Sequence, residues 1–286
     1  MSRTRSFVVI TATYVVAAAV AVVIVAAADW HPAWEIVVSY YAATAVTYVV
    51  IQATNNGSVF DAYWSVIPPI VGVAMAIGAD GAVGSRQVLL LVIFGLWGVR
   101  LTYNWAMGWP GMHHEDWRYV MFKDKGVMPA AAVDATVVTG FPTMQLVLGS
   151  LPFVPALVRG DNAFGWLDVV AAVVMGGALL IETVADEQLR AFVRSDKKSG
   201  AILNTGLWAH IRHPNYLGEL GVWLGLFLFG LAADPSYWWT GIGVVAMWAM
   251  FVFASIPMLD ERSVERRPGY AEHMKRVPAL VPRPGR

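Results

Sequence analysis

The sequence predicts an all-α, polytopic integral membrane protein in which seven to eight transmembrane helices form a helical bundle. Hydrophobic residues make up 57% of the 286 residues and charged residues only 14%, a composition suited to lipid rather than water. The mean hydropathy is +0.56. Eight segments also approach the roughly 20 mainly apolar residues that a spanning helix needs. We expect a single membrane domain over residues 1–286, with N-terminal helices over 1–54.

The eight candidate spans follow one another along the chain, and polar connections join them, of which 108–136 and 186–214 are the longest. The first follows Arg3 and Arg5, and we interpret it as a retained helix because no small-residue cleavage site with a soluble remainder comes after it. Pro68 and Pro69 interrupt the third, which is why the count is seven or eight. Prolines also make the fifth irregular, so neighbouring helices must satisfy its freed backbone groups. The spans are 7–28, 34–54, 63–80, 87–107, 137–158, 165–185, 215–232 and 237–258.

Composition and charge exclude several classes of site and suggest an orientation. The chain contains no cysteine, which excludes disulfides, thiolate metal ligands and cysteine nucleophiles. The six histidines lack metal-ligand spacing, so we expect no metal. The net charge of +0 gives no argument for a nucleic-acid partner. Most Lys and Arg residues fall in the loops on the side of both termini, so the positive-inside rule places the termini and these loops in the cytoplasm.

The most informative stretch is 206–219, which crowds polar side chains immediately before the seventh span. Pro214 suits the first turn of a helix, where its missing N–H costs nothing. The N-terminus of that helix favours an anion, and Arg212 and His213 add positive charge. Asn215 and Glu219 share one helix face and can act on one ligand. The alternative is a polar helix cap with side chains that extend to the membrane interface.

Charged side chains also fall inside or beside the spans. Glu182, Asp186, Arg190 and Arg194 recur every four residues, so they lie on one stripe of a helix that continues the sixth span. Alternatively, the outer members of this stripe pair with each other on an exposed helix, as Asp186 and Arg190 can at a spacing of four residues. Glu182 lies within the hydrocarbon boundary, where a carboxylate normally marks a cavity or a partner. The same argument applies to Arg100 in the fourth span.

Four motifs occur in order in the second half of the chain: Asp186-Glu187-Gln188, Gly206-Leu207-Trp208 with Arg212-His213-Pro214-Asn215-Tyr216-x-Gly218-Glu219, Glu265-Arg266-Arg267-Pro268-Gly269-Tyr270, and Val277-Pro278-Ala279-Leu280-Val281-Pro282. Together they resemble the steroid 5α-reductase family, above all its bacterial branch. The resemblance covers roughly residues 55–282. A related His-Pro-x-Tyr-x-Gly element occurs in isoprenylcysteine carboxyl methyltransferases, which bind S-adenosylmethionine, so the C-terminal half alone does not choose the cofactor.

The resemblance implies an NADPH-dependent reductase in the bacterial inner membrane, with the cofactor bound from the cytoplasm. The family's reductases carry an Arg matched by Arg100, and an Arg-containing loop that 115–119 resembles. Arg side chains suit the phosphates of the cofactor. The implied substrate is an apolar steroid-like enone from the bilayer, without an obligate protein partner. The expected cofactor contacts are Arg100, Glu115, Asp116, Arg118, Tyr119, Glu182, Asp186, Arg190, Arg194, Arg212, His213, Asn215, Tyr216, Glu219, Glu261 and Tyr270.

The implied reaction transfers a hydride to the β-carbon of the enone, and a donor must meet the charge that develops on its oxygen. Eukaryotic members use a Glu shortly before a Pro and a Tyr three positions ahead of the helix Arg. This chain has Trp97 at the latter position and no such Glu. Its nearest replacements are Asp61, Tyr63 and Tyr103, which we take as the candidate catalytic residues. The alternatives are a methyltransferase that uses S-adenosylmethionine, and a non-catalytic lipid-binding or transport protein.

Overall fold

The protein is a bundle of membrane helices. The computed structural model describes residues 1–80, 83–195 and 200–282, and these contain no β-strand. Within these residues, eight helices are long and apolar enough to cross a membrane, which confirms the predicted fold class, and the third candidate span is among them. The spans are Arg3–Ala27, Pro32–Thr54, Gly57–Gly78, Ser85–Gly108, Ala130–Arg159, Trp166–Arg194, Pro214–Ala233 and Pro235–Arg266.

The third span continues through both of its prolines because the fourth span covers the irregular turn. Pro68 and Pro69 lie inside the helix, and Pro69 cannot donate to the Ser65 carbonyl one turn earlier. Gly98 packs against this carbonyl so closely that a Cβ on Gly98 would be 2.6 Å from its oxygen. The hydroxyls of Ser65 and Thr102 are 2.8 Å apart. A larger residue at position 98 would separate the two spans.

The fifth and eighth spans are not regular α-helices. The fifth contains π-helical turns at Asp134–Gly140 and Val154–Arg159, in agreement with the predicted irregularity. The eighth contains one at Phe251–Ser255. Pro142 and Pro257 follow two of these turns at a distance of two residues. Such π turns are frequent at functional sites, and the turns at Asp134–Gly140 and Phe251–Ser255 both contribute to the cavity described below.

The sixth and seventh spans form the most extensive helix pair. Glycines allow this approach, since a Cβ on Gly218 would lie 2.6 Å from the Cβ of Glu182, and a Cβ on Gly225 would lie 2.5 Å from the Cβ of Met175. Small residues commonly line such helix contacts in membranes. The approach brings Glu219, next to Gly218 in the chain, beside Glu182.

One end of the bundle is held by a buried ion pair. Arg86 Nε lies 2.6 Å from Asp168 Oδ1, and Arg86 Nη2 lies 2.9 Å from Asp168 Oδ2. The guanidinium also donates to the carbonyls of Asn162, Ala163 and Ala232. Arg86, which the sequence places in a loop outside the spans, therefore joins the start of the fourth span to the sixth and seventh.

The polar loops meet at the other end of the bundle. Asn56 Nδ2 donates to the carbonyls of Met112 and His114, at 2.9 and 3.0 Å. The first span takes part in this end as well, because Arg3 Nε donates to the Trp109 carbonyl at 3.0 Å. The loops thus connect the N-terminal helices to the region in which the candidate site residues lie.

Candidate active site

Two cavities of about 480 Å³ each lie at the polar end of the bundle. Asn215 and Tyr216 line both of them. These residues stand in the first turn of the seventh span, which Pro214 opens, as the position of the proline predicts. The two cavities therefore meet at the start of this helix.

The first cavity, which we call the basic cavity, is lined by cationic and aromatic side chains. Arg266, Arg267 and His273 contribute to its wall, and no carboxylate occurs among its described lining residues. Arg267 Nη1 donates to Ser263 Oγ at 2.9 Å, whereas Arg266 is exposed. The cavity therefore offers positive charge to an anion.

The second cavity, which we call the acidic cavity, combines apolar walls with carboxylates. Its apolar walls include Trp64, Leu101, Phe141, Phe251 and Met258. One guanidinium is present among its described lining residues, that of Arg118, and the carboxylates are Asp61, Asp116, Glu182, Asp186 and Glu219.

Arg100 pairs with two of these carboxylates from the fourth span. Its guanidinium contacts Glu182 and Asp186 of the sixth span. Asn104 Nδ2 donates to Asp186 Oδ2 at 2.5 Å, and the Asn104 amide oxygen accepts from Arg190. The second carboxylate oxygen of Glu182, Oε2, is buried and has no hydrogen-bond partner among the described residues.

Glu219 is held between two tryptophans. Trp97 Nε1 donates to Glu219 Oε2 and Trp223 Nε1 donates to Glu219 Oε1, both at 2.9 Å. The indole rings are themselves in edge contact, with centroids 5.5 Å apart. Trp97 thus has a defined role at the site: it is one of two neutral donors that orient the Glu219 carboxylate.

Asp61 and Tyr119 form a pair in the wall of the acidic cavity. The Tyr119 hydroxyl donates to Asp61 Oδ1 at 2.9 Å. Burial raises the pKa of the Tyr119 phenol, and the neighbouring Asp61 carboxyl raises it further. The phenol therefore stays protonated and serves as a hydrogen-bond donor.

Asp116 and Arg118 lie beside this pair at the start of the short helix Trp117–Asp124. Arg118 Nε donates to Asp116 Oδ1 at 2.8 Å, and Ser58 Oγ accepts from the Asp116 backbone N–H at the same distance. Burial opposes ionisation of Asp116, but hydrogen bonds and the charge of Arg118 outweigh it and lower the pKa of this carboxyl. The pair is thus ionised and fixes the loop over the cavity.

Asp260 organises the wall of the basic cavity. It accepts from Arg212 Nη2 at 2.6 Å and from the Tyr270 hydroxyl at 3.1 Å, and its Oδ1 lies 3.1 Å from His213 Nε2. Arg212 Nη1 also donates to the Val277 carbonyl at 2.5 Å. The Arg212 guanidinium therefore binds groups of the protein itself, and these contacts hold the C-terminal segment against residues 206–219.

Two titratable groups beside Asp260 are shifted. Burial lowers the pKa of His273, and the positive charge of Arg212 lowers it further. Burial raises the pKa of the Tyr270 phenol, and the Asp260 carboxyl adds to this shift. Both groups are therefore neutral near pH 7.

Two of the three expected catalytic residues do not reach either cavity. Tyr63 is fully buried and donates its hydroxyl to the Tyr40 carbonyl at 2.6 Å. Tyr103 is 53% exposed and lies below the Arg190 guanidinium, 5.6 Å from its ring centroid. Asp61 lines the acidic cavity, and the phenol beside it belongs to Tyr119, which we had expected to contact the cofactor.

The expected cofactor contacts divide into four groups. Arg100 and Arg190 do not line the acidic cavity but lie next to it. Glu115 accepts from the Gly57 N–H at 2.6 Å and from Lys123 at 2.7 Å, so it anchors a loop instead of lining a cavity. Arg194 and Glu261 are exposed and line neither cavity. Those that line a cavity are Asp116, Arg118, Tyr119, Glu182, Asp186, Arg212, His213, Asn215, Tyr216, Glu219 and Tyr270.

Sequence reasoning missed Asp260, Arg266, Arg267 and His273 as site residues. Asp260 has the signal that drew attention to Glu182: it is a carboxylate at the end of an apolar span. The other three follow that span closely in the chain, but their convergence on one cavity depends on how the C-terminal segment folds back.

The fold and the site define a polytopic helical membrane protein with a paired basic and acidic cavity. Over residues 47–277 the chain matches a family described as a protein of unknown function, DUF1295, and it belongs to that family. It is 27% identical over 256 residues to the uncharacterized protein C594.04c of Schizosaccharomyces pombe, with 80% of this chain and 74% of the relative covered. No solved structure matches the chain.

Proposed function

We propose that the protein is an NADPH-dependent membrane reductase of the steroid 5α-reductase type, which reduces a conjugated C=C bond in an apolar enone. The observation that carries the proposal is the opposite charge of two cavities that meet at Asn215 and Tyr216. NADPH has the same polarity, with phosphates toward one end and, at the other, a ring that becomes cationic on oxidation.

The basic cavity suits the phosphates. Arg266 and Arg267 offer guanidinium groups there, and the Arg fork is well matched to phosphate oxygens. Tyr270 and Ser263 add hydroxyls to the same wall. No carboxylate occurs among the described lining residues, and the Asp260 carboxylate behind the wall is paired with Arg212.

The nicotinamide end suits the acidic cavity near Asn215 and Glu219. The buried Oε2 of Glu182, which receives no N–H donor from the described residues, is an acceptor available to an N–H donor such as the carboxamide of the cofactor. Leaving such an oxygen unpaired is costly, so its presence in a cavity wall supports a polar ligand. The donor and acceptor set of the two cavities therefore fits NADPH.

The remaining part of the acidic cavity suits the enone. Bound NADPH supplies the hydride that adds to the β-carbon, and a proton from water completes the reduction at the α-carbon. When the enone binds, the single O–H of Tyr119 would turn from Asp61 to donate to the ketone oxygen, where negative charge develops, and such a donor is usually a large contribution to the rate. Before the enone binds, Asp61 holds the phenol in place. Apolar walls such as Leu101 and Phe141 accommodate the hydrocarbon.

A methyltransferase that uses S-adenosylmethionine is the second candidate. The specific observation in its favour is the negative charge of the acidic cavity, which also suits a sulfonium cation. S-adenosylmethionine has no phosphate, however, and its single carboxylate offers Arg266 and Arg267 fewer anionic oxygens than the phosphates of NADPH do. For this reason we favour the reductase.

The two functions are separated by calorimetry on the purified protein in detergent. We expect NADPH to bind, and the paired substitution Arg266→Gln with Arg267→Gln to weaken NADPH binding roughly tenfold or more, because hydrogen bonds to charged groups contribute about 1.5–3 kcal/mol. Arg5→Gln, an exposed position in the first span, is the matched control and should bind as the wild type does.

Turnover provides the complementary test. Membranes that contain the protein should oxidise NADPH in the presence of a 3-oxo-Δ4 steroid such as progesterone, and the saturated product should be detected by its mass. Binding of S-adenosylmethionine but not NADPH, with methylation of a supplied thiol or acid and an intact enone, would contradict the proposal.

A further inference from the structure

Two apolar residues in the wall of the acidic cavity are exposed on the outer surface of the membrane spans. Among the described lining residues of this cavity, these are Phe141 and Ala254, whereas the others are buried or half-buried. They belong to the fifth and the eighth span. We propose that the gap between them is a lateral portal, through which the apolar ligand passes between the lipid hydrocarbon and the acidic cavity. The inference rests on the proposed function for the identity of this ligand, an enone.

The fifth and eighth spans pack tightly on one side of the gap. A Cβ on Gly243 would lie 2.2 Å from the Leu148 carbonyl oxygen and 2.8 Å from the Gly149 Cα, so no ligand passes between the spans there. Phe141 precedes Leu148 by seven residues, and Ala254 follows Gly243 by eleven. The gap therefore lies about two to three helical turns nearer the polar end of the bundle.

A π-helical turn borders the gap in each span. Phe141 directly follows the turn Asp134–Gly140, and Ala254 lies within the turn Phe251–Ser255. A π turn has i→i+5 hydrogen bonds and so contains one residue more than an α-helical turn, and such turns are frequent at functional sites. Both helices are thus interrupted at the level where their close packing ends, and the side chain that the eighth span presents there is only a methyl group.

The gap lies at the depth of the lipid hydrocarbon. Carboxylates with cationic partners mark the polar end of both spans: Asp134 is paired with a lysine of the loop helix, and Asp260 with the arginine of the 206–219 motif. Phe141 follows Asp134 by seven residues, and Ala254 precedes Asp260 by six. At the rise of a helix, both positions are about 9 Å deeper than these ion pairs. Acyl chains therefore face the gap, and it favours an apolar ligand over an ion, which is costly to transfer into hydrocarbon.

The side chains at the portal control the size of the ligand that passes. Phe141 is 42% exposed, so its ring has few contacts to lose when it turns aside. Ala254 is small and leaves the other side of the gap open. These two residues would therefore select ligands by their bulk and act on the rate of entry, without contact to the reacting atoms.

The test follows the binding of tritiated progesterone to the protein in lipid nanodiscs, without NADPH and therefore without turnover. A portal residue changes the rates of passage in both directions, whereas a residue that only contacts the bound ligand changes the dissociation constant. We expect Ala254→Phe to lower the association and dissociation rate constants together by about tenfold, equivalent to about 1.4 kcal/mol of added barrier, because a ring would have to move aside at each passage. Phe141→Ala should raise both rate constants.

The matched control is Ala19→Phe, the same exchange at an exposed position of the first span, and it should keep both rate constants of the wild type. The NADPH affinity of Ala254→Phe should also be unchanged, because the phosphates bind in the basic cavity. In turnover, Phe141→Ala should raise kcat/KM for cholest-4-en-3-one, which has a longer side chain, more than kcat/KM for progesterone.

Every outcome decides between these possibilities. Wild-type rate constants in both Ala254→Phe and Phe141→Ala overturn the portal while the proposed function stands. A weaker dissociation constant for Ala254→Phe with unchanged association also overturns it. A wild type that binds progesterone but not NADPH overturns the reductase, and the rate constants still decide on the portal. A wild type that binds no progesterone overturns both. If Ala254→Phe does not fold, which thermal unfolding would reveal, the rate constants of Phe141→Ala decide.

Discussion

The Tyr119 hydroxyl donates to Oδ1 of Asp61 at 2.9 Å in the wall of the acidic cavity. Asp61 belongs to the third span and Tyr119 to the short helix Trp117–Asp124. The pair joins a membrane helix to a loop helix, so the position of the donor depends on the packing of both.

Tyr119→Phe should lower the rate of enone reduction by roughly 10²–10³, since this is the usual effect of removing one donor to a developing oxyanion. NADPH affinity should be unchanged, because the phenol faces the substrate. The measurement is single-turnover NADPH oxidation with progesterone, together with calorimetry.

Two other tyrosines provide matched controls for this substitution. Tyr103→Phe changes an exposed side chain and should retain the wild-type rate. Tyr63→Phe removes the buried hydrogen bond to Tyr40. It should therefore lower the free energy of unfolding by about 1 kcal/mol, which is measured as a lower unfolding temperature, and it should leave turnover unchanged. A fully active Tyr119→Phe enzyme would remove Tyr119 as the carbonyl donor.

Asp260→Asn should destabilise the protein by about 3–5 kcal/mol, because it leaves the buried Arg212 guanidinium without its carboxylate. The same change weakens the contacts of His213 and Tyr270. Glu261→Gln, at the adjacent exposed position, should stay within about 0.5 kcal/mol of the wild type. Thermal unfolding in detergent measures both, and equal effects of the two substitutions would argue against Asp260 as the organising residue.

Stability should fall as the pH drops below the ordinary pKa of histidine, about 6.5, and His273 is one cause. Burial lowers the pKa of His273 and Arg212 lowers it further, so the unfolded chain binds this proton at a higher pH than the folded chain. Between the lowered pKa and the ordinary value of about 6.5, the unfolded state binds more protons, and stability therefore increases with pH in that window. Stability is lost as the pH falls through it.

The pH series is checked by thermal unfolding in detergent. His273→Gln cannot titrate, so its stability should depend less steeply on pH within this window. His113→Gln, at an exposed loop position, should keep the wild-type slope. If the His273→Gln slope equals that of the wild type, His273 is not a source of the acid sensitivity.

Arg86→Ala should destabilise the bundle by about 3–5 kcal/mol, because Asp168 would remain buried without its cation. Adding Asp168→Ala should restore part of this loss by removing the unpaired charge, although the carbonyls that Arg86 contacts would still lack a donor. NADPH affinity of the folded protein should not change, since the pair lies at the end remote from the cavities. Additive losses from the two single substitutions would contradict a paired role.

The sequence by itself determined the fold class and limited the number of spans to seven or eight. Apolar length is a local property, so hydropathy alone predicts a helix that crosses a membrane. The irregular fifth span also followed from local information, because a proline removes a backbone donor wherever it stands. The cost of placing a carboxylate in hydrocarbon drew attention to Glu182, and this residue lines a cavity.

Tertiary structure decided which polar groups face a ligand and which face the protein. Tyr63 and Tyr119 both occur in polar stretches of the sequence close to carboxylates. In the structure, the Tyr63 hydroxyl donates to a buried carbonyl, whereas the Tyr119 hydroxyl donates to Asp61 in a cavity wall. Arg212 lies within the most informative motif, but Asp260 and the Val277 carbonyl occupy its guanidinium. The partner of a side chain is set by segments distant in the chain, so spacing along one helix could identify the groups that need partners but not the partners themselves.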